Sequence, residues 1–152
     1  MRRPYVLLLI VVVILLFLAI SALLTRVLSV DGAERTALTG LVQAEARGDA
    51  SGMLAQMHGC AQSATCRSRV AQDAGALKHA GSMSILQIQT SAGFSLGSTV
   101  GTARVAWEAG GSLPIVQCVR VRRAGNALSG LRVELLALSP RIQSDSVCPS
   151  RF

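Results

Sequence analysis

The sequence predicts an α+β domain carried behind one helix long and apolar enough to span a bilayer. Three observations predict it. Residues 6–24 run nineteen positions without a charge. From Glu34 onward, apolar side chains recur at i, i+3, i+4 spacing. Beyond Gly81 the period falls from 3.6 to 2. Helices first and a meander afterwards indicate about three helices on one face of a four-stranded antiparallel sheet.

The apolar run comes first. At about 1.5 Å per residue it spans roughly 28 Å as a helix, close to the hydrocarbon thickness of a bilayer. All but Ala19, Ser21 and Ala22 are Leu, Ile, Val or Phe. Arg2 and Arg3 on the short N-terminal flank favour a cytoplasmic N-terminus, with residues 30–152 outside. The division expected is therefore a membrane anchor over 1–29 and an extracytoplasmic domain over 30–152. Ala19-Ile20-Ser21 has the small-x-small shape of a signal cleavage site, the rival reading. Leu23, Leu24, Val27 and Leu28 carry apolar character past that site, which favours an uncleaved anchor.

Asp31-Gly32 ends the anchor region and offers a cap. Leu38, Leu41 and Val42 lie on one face of the first domain helix, which begins near Glu34, and Arg47-Gly48-Asp49 breaks it. A second helix over about 50–57 buries Met53, Leu54 and Met57. A third over 67–79 turns Val70, Ala74 and Leu77 inward. The strands follow. Residues 83–91 place Leu86 and Ile88 against Gln87 and Gln89. Residues 99–109 place Ala103, Val105 and Trp107 opposite Arg104, Ala106 and Glu108. Residues 113–123 turn Ile115, Val119 and Val121 inward, with Cys118, Arg120 and Arg122 outward. Residues 131–138 supply the last strand through Leu131, Val133 and Leu135. Gly110-Gly111 and Ala124-Gly125-Asn126 are the turns between them.

All four cysteines, Cys60, Cys66, Cys118 and Cys148, fall in the part expected outside the cytoplasm, where thiols oxidise. The spacing favours Cys60–Cys66 as a small loop between helices and Cys118–Cys148 as a pin on the C-terminal tail, among three formal pairings. Zinc is the rival, but no C-x2-C knuckle occurs and only His58 and His79 would join the thiolates. No metal or cofactor is expected. Residues 30–152 hold 12 basic and 8 acidic groups, a net of +4 against +7 for the whole chain. Beyond the anchor the aromatic side chains are Phe94, Trp107 and Phe152. That is too few for a base-stacking surface, so nucleic acid is disfavoured as a partner.

The run Ala-Leu-Thr-Gly-Leu-Val-Gln-Ala-Glu-Ala-Arg-Gly-Asp-Ala-Ser-Gly-Met-Leu (37–54) resembles the opening of NTF2-like, cystatin-like domains. The later Val119-Arg120-Val121-Arg122-Arg123, Gly125-Asn126 and Leu131-Arg132-Val133 are similar to the closing strands of that superfamily. The resemblance covers about 34–140 and implies a cone between helices and sheet; many bacterial members resembling this one are membrane-anchored. Some members are enzymes with an acid or His in the cone. Here the positions expected to line it are Val105, Trp107, Val119, Val121 and Val133, all apolar.

Asp49, Asp73, His58 and His79 are the residues best placed for acid–base chemistry. Asp49 reads more simply as a helix cap, and Glu45, Glu108 and Glu134 fall on expected outer faces. No G-x-S-x-G elbow or phosphate-cradling glycine loop occurs. No catalytic residue is therefore assigned. Arg120, Arg122, Arg123 and Arg132 form a candidate anion patch, weighed against a merely solvated sheet face. The function expected is a membrane-tethered, non-catalytic binding or scaffold module. Its partners are the bilayer through 6–24 and a membrane or cell-envelope protein, with the sheet face a candidate homodimer surface. The alternative is a small isomerase- or cyclase-like enzyme acting on an apolar substrate in the cone.

Overall fold

The structure, a computed structural model, describes residues 3–91, 97–126 and 130–152; Arg2 and Phe94 lie outside the described residues. The elements run α1 (Arg3–Arg47), α2 (Ala50–Gln56), a 3-10 turn (Cys60–Gln62), α3 (Ala64–Ala76), β1 (Met83–Gln89), β2 (Thr99–Ala109), β3 (Ile115–Asn126) and β4 (Gly130–Leu138). The strands form one open antiparallel sheet in the order β1-β2-β3-β4. The fold is α+β, and the helices pack on one face of that sheet.

The first departure from expectation is α1 itself. No break occurs at Asp31-Gly32; one 45-residue helix runs from the apolar segment into the domain. A helical Gly costs about 1 kcal/mol relative to Ala, which neighbouring contacts readily offset. Here Val30 is buried, Glu34 is fully buried, and Asp31 is bound by Arg123. The N-terminal part is long and apolar enough to cross a membrane, and none of its apolar window is buried against the domain.

Gly48 ends α1 at φ +72°, a left-handed conformation that lets its N–H reach Glu45 O while Asp49 N–H reaches Ala44 O. Asp49 then caps α2 by accepting from Gly52 N–H at 2.8 Å. Hydrogen bonds from Ser51 and Gly52 hold its carboxyl below the ordinary value. Helix α3 starts earlier than the periodicity indicates, because Ser63 is its cap and accepts from Cys66 N–H at 3.3 Å. Ser63→Ala is expected to cost about 1 kcal/mol, with Ser63→Thr recovering most of it, as read by urea unfolding.

The core joins Leu38, Leu41 and Val42 of α1 to Met53, Met57, Val70, Ala74 and Leu77, and to Ala103, Val105, Trp107, Val119, Val121 and Leu135 of the sheet. In β1 a bulge between Ile85 and Gln87 turns Ile85 and Ile88 toward the core and leaves Leu86 exposed, correcting the strict alternation expected. At Gly101 an added Cβ would lie 2.1 Å from Ser91 O, so a side chain there would push the β1–β2 connection away.

The two disulfides are Cys60–Cys66 and Cys118–Cys148. The second pins a tail that crosses the outer sheet face. Ile142 pairs with Val116, Arg104 donates to Ser144 O, and Arg120 donates to Ser150 O while stacking over Phe152. The outer face, expected as a candidate homodimer surface, is thus covered over β2 and β3 by the chain's own tail.

Candidate functional site

Two buried polar clusters sit between α1 and the sheet, one at each end of the domain. The first begins with Arg123. Its parity on β3 matches Val119 and Val121, so its side chain enters the helix–sheet interior, where it is 5% exposed. Arg123 Nε donates to Glu34 Oε2 at 2.9 Å, and a second guanidinium nitrogen reaches Asp31 Oδ1 at 2.5 Å. Glu34 also accepts from Ser91 N–H at 2.6 Å and from the Ser91 hydroxyl at 3.0 Å. Burial opposes the guanidinium's charge, but the hydrogen bonds to Glu34 and Asp31 outweigh it and raise the pKa. These contacts tie α1, β3 and the end of β1 together where the helix leaves the apolar segment.

The second cluster begins with Glu45, three positions after Val42 and on the same inward stripe. It is fully buried, not on an outer face as expected. Gln117 donates to Glu45 Oε1 at 2.7 Å and accepts from the Trp107 indole N–H at 3.1 Å. Glu45 Oε2 and Asp73 Oδ2 are buried without a hydrogen-bond partner. Burial pushes the Glu45 carboxyl up to about 7, opposed by the Gln117 hydrogen bond and helped by the nearby Asp73. Burial likewise raises Asp73 to about 6, against the pull of Arg69. His79 meets the Trp107 ring edge-on, with centroids 6.4 Å apart. Two titratable acids and an orienting amide therefore lie in the interior, a set able to hold or exchange a proton.

That interior is filled. Val105, Trp107, Val119 and Val121, expected to line a cone, are fully buried core, and Val133 packs partly buried against them. Hollows at the surface of the described residues are lined by other residues. One of about 300 Å³ lies between the Cys60–Cys66 loop, Arg69, Leu136–Leu138 and Phe152. Another, about 360 Å³, has His79 and Met83 on its wall. His58 is exposed, and its backbone N–H donates to Leu135 O. Among the described residues no group of three or more metal-ligating side chains occurs.

The expected anion patch is not one surface. Arg123 belongs to the buried cluster because its strand parity turns it inward, a correction to the patch. Arg120 is held by the tail, and Arg122 pairs with Glu134. Hydrogen bonding to Arg122 lowers the Glu134 pKa. Arg132, 79% exposed, is 3.5 Å from the same carboxylate.

Sequence reasoning gives Glu34 and Gln117 no role in a site and sets Glu45 on an outer face. The signal was present in part: Glu45 continues the Leu38–Leu41–Val42 stripe, and Gln117 holds an inward position between Ile115 and Val119. A search against protein-family models, curated proteins and solved structures finds no match to this chain.

Proposed function

We propose that this protein is a membrane-tethered, extracytoplasmic module that binds a membrane or cell-envelope partner and does not catalyse. Its domain is of the NTF2-like, cystatin-like kind, a reading supported by three helices on one face of a four-stranded antiparallel meander. The observation that carries the tethered role is the continuity of α1. One helix holds an uncovered apolar segment and, from Val30 onward, a buried face of the domain. The Arg123–Glu34–Asp31 cluster then fixes the domain's attitude to that helix, as a scaffold set at a bilayer requires. The two disulfides support an oxidising compartment.

The test is the mature chain recovered from membranes. An intact N-terminus, retention in the membrane after alkaline wash and domain cleavage by protease added outside are expected. A chain beginning at Ala22, or a soluble exported domain, would overturn the tether.

One observation favours the enzyme as a second reading. Glu45 has its pKa raised to about 7 and is oriented by Gln117, as a general base in an apolar cone would be. The filled interior weighs against it. An anilinonaphthalene dye distinguishes the two, since an open apolar cone brightens it in the native state and a filled one does not.

A further inference from the structure

We propose that the hollow at the free edge of β4 receives the carboxyl-terminal residues of an extended partner polypeptide. This inference rests on the binding reading above and names the chemistry of the partner. The hollow, about 300 Å³, straddles the edge and is lined by three consecutive residues, Leu136, Ala137 and Leu138. Successive side chains of a strand alternate between its faces, so a space bordered by all three opens at the edge. The Cys60–Cys66 loop and the start of α3 wall it on the helix side. Phe152, stacked on Arg120, walls it on the outer side.

The edge supplies backbone groups. Residues of an antiparallel strand turn their N–H and C=O alternately toward the paired strand and away from it. Ser139 N–H donates to Cys118 O of β3, so the backbone groups of Leu138 point away from the sheet. The irregular pairing opposite Arg120 and Val121 leaves Leu135 facing the same way. Leu135 is already engaged there: Met57 bridges it in parallel, and His58 N–H donates to its carbonyl. The chain then turns off at Gly59, and an incoming strand continues the pairing at Leu138. Charge is the second element. Arg69 lines the hollow half-buried and makes no hydrogen bond or ion pair among the described residues. Asp73, one turn along α3, feels its charge, but Asp73 is buried and no carboxylate side chain among the described residues lines the hollow. A chain-terminal carboxylate suits the guanidinium fork, and Thr65, four residues before Arg69, brings a hydroxyl to the same wall. Leu136, Leu138 and Phe152 then surround one apolar terminal side chain.

The test titrates the full chain in nanodiscs with acetyl-Thr-Val-Thr-Leu, as free acid and as carboxamide, and reads the Leu138 and Cys66 amides. The free acid should shift both amides saturably and bind about tenfold or more tightly than the carboxamide, which lacks the charge-assisted bond. Arg69→Gln should bring the acid down to the affinity of the carboxamide, and Arg69→Lys should recover part of the difference. Equal binding of acid and carboxamide by the parent chain, a comparison that needs no variant, overturns the docking and leaves the tethered module standing. Shifts confined to other residues do the same. Decanoate moving these amides where the peptide does not overturns the docking in favour of a fatty acid. A peptide recovered chemically altered overturns the non-catalytic reading, and the docking with it.

Discussion

Replacing Arg123 with Leu is expected to lower the stability of the detergent-solubilised chain by about 3–5 kcal/mol, the loss that follows when one partner of a buried ion pair is removed. The cost resides in what remains. Glu34 is fully buried, and without Arg123 its carboxylate keeps the Ser91 hydrogen bonds but no counter-charge. Asp31 suffers less, being 39% exposed on its side chain. Arg123→Leu combined with Glu34→Leu should recover much of the loss, because an apolar pair carries no unpaired charge. The same variant should loosen the helix around Gly32, where lateral contacts sustain α1. Urea unfolding gives the first result, and amide exchange across 26–34 gives the second. A single-variant loss below about 1 kcal/mol, the range of an exposed ion pair, would show that the cluster is solvated and does not lock the helix.

That cluster also shows where sequence reading ended. The helix order, the change of period at Gly81, the strands and the two disulfide pairs were legible because each has a local signal. The continuity of α1 was not. Asp31-Gly32 reads locally as a stop, whereas the helix runs through it where Val30 and Glu34 are buried and Arg123, distant in sequence, pairs with Asp31 and Glu34. The anion patch failed for a related reason. Charge and adjacency suggested four arginines on one face, whereas strand parity sends Arg123 inward and the tail engages Arg120. The bulge at Leu86 likewise has no signature in an uncharged strand such as Met-Ser-Ile-Leu-Gln-Ile-Gln. Val105, Trp107, Val119 and Val121 are buried in the core and Val133 partly so, yet nothing in their spacing tells a filled interior from an open one.

The interior acids set the second large effect. Stability is expected to be greatest in mildly acid solution and to fall as pH rises from about 4.5 to 7. In the unfolded chain Glu45 loses its proton near 4.5, while in the folded chain it keeps the proton until about 7. Between those values the unfolded state gives up a proton that the folded state retains, so deprotonation favours unfolding. Below the window both states are protonated, and above it both are charged, so the penalty is constant. At about 1.4 kcal/mol per pKa unit, the loss attributable to Glu45 reaches about 3 kcal/mol by pH 8. Asp73, raised to about 6, adds a loss of the same sign across a slightly more acid window. Glu45→Gln removes the first loss, because the amide stays neutral while its oxygen still accepts from Gln117. The variant should therefore match the parent near pH 4 and exceed it by about 3 kcal/mol at pH 8. Urea midpoints at both pH values measure this. Equal midpoints for parent and variant at pH 8 would mean that Glu45 ionises at an ordinary pKa. The enzyme reading, which needs a proton held near neutrality in a dry interior, would then lose its only support.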